Sequence, residues 1–173
     1  MKSEELKAVQ APLKDGYRQD PESAVVTMRA EGDVEVAGQA CTLRSFAGVV
    51  RAGLHEAAGG SGADACSGEL LLESLVACAG VTFSAVATNM DLAVRSCKII
   101  AEGEMDFRGT LGIDKGVPVG LTSVRLIFQV DSDLEEATLN KLISLTERYC
   151  VIYQTLQKGV SNLTTSIARA AQP

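Results

Sequence analysis

The chain has no tryptophan, a single histidine, four prolines and only 4% aromatic residues. With so few rings available, its core must be built from Leu, Val, Ile and Ala. One histidine and no Cys-x-x-Cys pair leave no closely spaced ligand set for zinc. No run of Lys and Arg exists, and the formal net charge is −6. Nucleic acid and anionic membrane would both be repelled by such a surface, so neither is expected as a partner. The opening Met1-Lys2-Ser3-Glu4-Glu5-Leu6-Lys7 lacks the apolar stretch of a secretory signal. The longest apolar stretch, 70–87, is interrupted by Glu73, Ser74, Thr82 and Ser84. It is expected to fall short of the roughly 20 apolar residues that span a bilayer. These absences predict a cytoplasmic chain.

What remains is ample for folding. A chain of 173 residues, 46% of them hydrophobic, fits one domain. At that size about two-thirds of the unfolded surface is buried. The five cysteines, Cys41, Cys66, Cys78, Cys97 and Cys150, are odd in number and widely spaced. That suits free or redox-active thiols in a reducing compartment better than a disulfide framework.

Along the chain, residues 1–23 read as a charged N-terminal extension and 24–173 as one domain. Ser3 and Glu4-Glu5 begin a short helix that Pro12 is expected to end or interrupt. Strands are predicted at 24–28, 34–36, 41–46 and 49–54, with a turn at 31–33, giving an antiparallel meander. Residues 57–68 are Gly-rich but lack the Gly-Lys-Ser/Thr end of a phosphate loop, so they read as a flexible or tightly turning surface loop. A helix over 69–89, with Ser67 as its N-cap, places Leu71, Ser74, Leu75, Cys78, Val81, Thr82 and Ala85 on one face. Leu70, Leu72, Val76 and Val86 make it apolar over most of its girth. It is therefore expected to be central, covered by a sheet and by other elements or a second subunit.

Strands follow at 94–107, with a break at Gly103, and at 121–130, separated by a long turn. Ser132 or Asp133 caps a helix over 134–149, whose apolar stripe runs Leu139, Leu142, Ile143, Thr146, Tyr149, Cys150, Tyr153. A short helix at 151–158 ends at Gly159, and 160–167 is expected to be a last strand. The fold class is α+β.

Among the cysteines, Cys78 and Cys150 occupy the apolar faces of the two best helices. Taken singly, each reads as a small core hydrophobe. Taken together, they would form a dithiol–disulfide pair if their helices pack sulfur to sulfur. Cys66 competes as the reactive thiol, because it precedes a helix N-terminus. Cys41 and Cys97 read as filler in strands.

The segment Ser67-Gly68-Glu69-Leu70-Leu71-Leu72-Glu73-Ser74-Leu75-Val76-Ala77-Cys78 resembles the central-helix motif of the OsmC/Ohr family, Pro-x-Glu-Leu-Leu-Leu-x-x-Leu-x-x-Cys. Arg148-Tyr149-Cys150-Val151-Ile152-Tyr153-Gln154-Thr155-Leu156 resembles its second motif, Cys-Pro-Val-x-x-Thr-Leu. The resemblance implies antiparallel sheets wrapped around a central buried helix in an intertwined homodimer. It implies a thiol peroxidase in which Cys78 attacks an organic hydroperoxide or hydrogen peroxide and Cys150 resolves the sulfenic acid as a disulfide. A small dithiol or lipoylated protein would be the reductant, with no cofactor or metal. A buried thiol also needs a cation to hold its thiolate.

In the peroxidase members a Glu lies ten residues before the first cysteine, where this chain has Gly68, with Glu69 one step later. The matching Arg is sought first at Arg51, then Arg44, then Arg29. Val151 stands where the family has Pro. His55, Leu75, Tyr149 and Tyr153 are the candidate substrate contacts, although a surface-turn role for His55 and core packing for the tyrosines compete. The alternative to peroxidase chemistry is a binding protein that uses the same pocket for a small apolar ligand.

Overall fold

In the computed structural model, residues 2–45 and 48–168 are described. The chain opens with helix α1 (Ser3–Gln19), which runs straight through Pro12. The expected interruption does not occur. Proline removes one backbone hydrogen bond, but α1 buries no residue, so water serves the carbonyl that is left over.

Residues 25–31 form no strand, contrary to expectation. Their β-branched side chains stand in solvent, with Val25 81% exposed, and β propensity without a partner forms no ladder. The first sheet begins instead at β1 (Gly32–Glu35), so Gly32 and Asp33 of the turn placed at 31–33 are strand. The reversal falls at 36–39, where Gln39 takes a positive φ of 47°. β2 (Ala40–Ser45) and β3 (Gly48–Gly53) complete the antiparallel meander, with Thr42 opposite Arg51. Phe46, assigned to β2 from the sequence, lies outside the described residues.

The Gly-rich segment is a tight return. Gly59 has φ 89°, and a Cβ on Gly60 would sit 1.7 Å from the Leu54 carbonyl oxygen, so only glycine closes this loop. The return delivers the two-residue strand β4 (Ala65–Cys66) parallel to β3. Helix α2 (Ser67–Asn89) follows directly. Its N-cap is Cys66, one residue before the expected Ser67, because Cys66 still belongs to the sheet. Glu69 accepts the Cys66 N–H at 3.4 Å from the first turn.

The second sheet pairs β5 (Ser96–Met105) with β6 (Leu121–Asp131) antiparallel. Gly103 does not break β5: it pairs with Val124, and the only irregularity falls between Glu104 and Met105. The connection holds the four-residue helix α3 (Phe107–Thr110). Helix α4 (Glu136–Tyr149) begins at Glu135, three or two residues after the expected caps. Cys150, in extended conformation (φ −73°, ψ 110°), ends α4 and starts α5 (Val151–Lys158). Beyond Gly159 no strand forms at 160–167: the segment pairs with neither sheet, and Leu163 and Ile167 stand in solvent.

By length and apolarity α2 reaches what a membrane crossing needs, contrary to the sequence expectation. It packs instead on β5, α4 and α5. Its buried stripe is Leu75, Ala79, Phe83 and Ala87, an i, i+4 row. One cluster joins Leu75, Ala79 and Cys150; a second joins Phe83, Ala87 and Leu142, with the Phe83 and Phe128 rings stacked at 5.8 Å. The opposite side of α2 stays open in the single chain: Val81 is 73% exposed.

Candidate functional site

The two cysteines on separate helices meet. Cys78 sits at the middle of α2 and packs on the Leu75–Ala79–Cys150 cluster. Cys150 is 1% exposed. Its position follows from the break between α4 and α5. The Cys150 N–H completes α4 on the Thr146 carbonyl at 2.8 Å, and its carbonyl opens α5 by accepting from Gln154 at 3.0 Å. Its Sγ accepts the Tyr153 N–H at 3.5 Å, as a serine oxygen would at an N-cap. Gln154 Nε2 ties the bend by donating to the Glu147 carbonyl at 2.9 Å.

The same bend points the first turn of α5 at Cys78. Burial pushes the Cys78 thiol up, but the Ile152 N–H, the Cys150 thiol, the Val151 N–H and the Thr82 hydroxyl outweigh it, so Cys78 ends below its ordinary value. Cys150 moves the other way: burial raises it, its Tyr153 N–H bond offsets part of this, and the neighbouring Cys78 raises it further. One sulfur is thus favoured as the thiolate acceptor and the other as the thiol donor. A negative charge on Cys78 would face oriented backbone donors at a helix N-terminus, where the peptide dipoles add their positive end. No acidic residue occupies the first turn of α5 to compete for those donors.

The expected cation is elsewhere. Arg51 donates to Glu35 at 3.0 Å and to Asp64, and those carboxylates raise its pKa. It is not among the groups acting on Cys78. Arg44 pairs with Asp33 and Arg29 with Glu31, both on exposed surface. Glu69 serves the Cys66 cap.

A cavity of about 530 Å³ opens beside the sulfurs, between α2, β6 and the α4–α5 bend. Leu75, Leu126 and Tyr153 line it and also pack against the cysteine cluster. Leu75 and Tyr153, two of the expected contacts, thus line this cavity. Tyr149 does not: it is 59% exposed, with the Arg148 guanidinium 5.5 Å above its ring. Tyr149 ends α4 on its exposed side, one residue before the bend. His55 is also apart. Its Nδ1 accepts the Ala57 N–H at 3.0 Å, its ring lies 4.9 Å from Phe107, and it borders a smaller hollow of about 210 Å³ with Asp64 and Cys66.

Sequence reasoning missed Glu147, Thr122, Ser123 and Gln157 on the cavity wall and the Val151 and Ile152 N–H groups at Cys78. The one visible signal for the latter was valine at 151, since only a non-proline residue has an N–H to give there. Cys41 and Cys97 lie in β2 and β5, and burial pushes the Cys97 thiol up. Among the described residues no group of three or more His, Cys, Asp or Glu side chains gathers to hold a metal ion.

Comparison with known proteins gives a consistent picture. Residues 60–165 match the family described as OsmC-like protein. An OsmC-like protein from Mycoplasma pneumoniae superposes with TM-score 0.64 at 16% identity, over 78% of this chain and 89% of that one. An organic hydroperoxide resistance protein from Elizabethkingia anophelis gives 0.62 at 15% identity, over 79% and 91%. The organic hydroperoxide resistance protein OhrB of Bacillus subtilis gives 0.57 at 16%, over 79% and 94%. No curated protein sequence matches.

Proposed function

From the premise that the chain belongs to the OsmC-like family, we propose that it is a two-cysteine thiol peroxidase acting on hydroperoxides. The single observation that carries this reading is the paired arrangement of the sulfurs. Cys78 faces backbone donors that favour its thiolate, and Cys150 lies against it as the protonated partner.

The chemistry proceeds in two balanced steps. The Cys78 thiolate attacks the terminal peroxide oxygen; an S–O bond forms as the O–O bond breaks. The alkoxide takes up a proton and leaves as alcohol, and Cys78 becomes the sulfenic acid. Cys150 then gives up its proton and attacks that sulfur. The S–S bond forms, the S–O bond breaks, and hydroxide leaves as water. A dithiol, free or lipoyl-borne, returns the disulfide to two thiols. Because the thiolate is held by α5, Arg51 and Glu69 act in this reading on the β3–α2 junction and not on the sulfur.

A second copy of the chain is the partner that best fits the open side of α2 and the unpaired apolar stretches 25–28 and 160–167. The cavity alone favours a second reading, a binding protein for a small apolar ligand, since its volume suits one. Counting free thiols before and after one equivalent of cumene hydroperoxide separates the two. The peroxidase loses two thiols per chain, Cys78→Ser loses none, and Cys150→Ser loses one. Two thiols lost in Cys78→Ser, or none lost in the parent, overturns the peroxidase.

A further inference from the structure

The cavity beside the sulfurs is apolar in its body and carries one charge. Leu71, Leu75, Val124, Leu126 and Leu156 form its walls, and Glu147 is its sole ionisable carboxylate or cation among the described residues. Glu147 is half-buried on α4, one turn before the bend at Cys150. Among the described residues it forms no ion pair. The cation next to it in sequence, Arg148, lies over the Tyr149 ring, on the side that faces solvent. Glu147 shares the cavity wall with Tyr153, and its charge adds to burial in raising the Tyr153 phenol. A carboxylate with no counter-ion in a partly desolvated hollow repels another negative charge more strongly than it would in water.

We propose that Glu147 makes this cavity selective by charge, so that it admits neutral hydroperoxides with an apolar body and turns away those that bear a carboxylate. The assignment of a hydroperoxide rests on the peroxidase reading above, whereas the discrimination by charge rests on the cavity alone. The hydroxyls of Thr122 and Ser123 and the amide of Gln157 also line the wall. The Thr122 hydroxyl already donates to the Glu104 carbonyl at 3.1 Å and the Ser123 hydroxyl to the Glu104 carboxylate at 2.8 Å, so these two can only accept, as from a substrate alcohol, and the Gln157 amide is the group on the wall that donates to an uncharged ester or ether oxygen.

The test separates binding from turnover. A medium-chain hydroxy acid and its methyl ester differ only in charge, and each is the alcohol that the matching hydroperoxide would leave. Calorimetric titration of the reduced full chain should show the ester binding about tenfold or more tightly than the acid, and added salt should narrow the gap. In Glu147→Gln the ratio should fall towards one, and in Glu147→Lys it should invert. Equal affinities in the parent, a ratio unmoved by both substitutions, or no binding of either compound overturns the proposal. Its fate is independent of the thiol count. A parent that prefers the ester but loses no thiols to peroxide keeps the charge selection and loses the peroxidase, and the reverse pattern does the opposite.

Discussion

Two helix N-termini in this chain begin at a cysteine, and they are put to different use. At α2 the capping residue is Cys66, and the first turn supplies its own negative charge: Glu69 accepts the Cys66 N–H. At α5 the capping residue is Cys150, the first turn is Val151-Ile152-Tyr153, and it holds no acid. Its free N–H groups are therefore spent on sulfur: Val151 on Cys78, Tyr153 on Cys150, and Ile152 between the two. The lesson is that a helix N-terminus activates a thiol only where its donors are left unclaimed and water is kept out. α2 starts among ion pairs at the surface, while α5 starts against the core.

The comparison can be broken at four points, in order of expected size. Leu75→Ala removes a 1% exposed side chain from beneath both sulfurs. It should cost about 2–5 kcal/mol by urea denaturation and enlarge the cavity. A cost below 1 kcal/mol would mean that the cysteine cluster is not part of the core.

Val151→Pro comes next. Residue 150 is already extended, and the first helical position tolerates proline, so the fold should survive. What is lost is one N–H to the thiolate, an interaction worth about 1.5–3 kcal/mol. The Cys78 pKa should rise by about one unit or more. Iodoacetamide alkylation followed against pH reads this directly. In the parent, where Cys78 lies below its ordinary value, fast alkylation begins at lower pH than for a free thiol. In the variant the profile shifts to higher pH, because deprotonation is what has become harder. An unshifted profile would place the source of the thiolate elsewhere.

Glu69→Gln tests the other terminus. Removing a charge from the first turn of α2 should cost about 0.3–1 kcal/mol of stability and leave the alkylation profile of Cys78 where it was. Arg51→Ala should have the smallest effect. Arg51 itself and its pair with Glu35 are exposed, where screening leaves little net gain, and only Asp64 is largely covered. A marked loss of Cys78 reactivity in this variant would restore the cationic account that the structure does not favour.

The elements that could be read in advance share one property: their partners are close in sequence or implied by their own pattern. The apolar spacing in 69–89 placed α2, and Gly159 marked the end of α5. The meander 32–53 followed from short β-rich runs with turns between them. The misreadings also share a property. Residues 25–31 and 160–167 carry strand-forming side chains but have no neighbouring edge, and a strand is a pairing before it is a propensity. Tyr149, the last residue of α4, lies on the exposed side of that helix, so the stripe read through residue 149 is too wide.

Composition and periodicity were enough to specify an α+β chain built around an apolar helix, with two cysteines on faces that must be buried. Those features depend on residue type and on the 3.6-residue turn, both of which are local. Which groups surround Cys78 was decided only when α2, α4 and α5 packed together. Backbone N–H groups are identical along the chain, and only packing determines which of them are left without a partner and aimed at sulfur. The charge on the cavity wall has the same origin: Glu147 is one acidic residue among many until the bend at Cys150 sets it beside an apolar hollow.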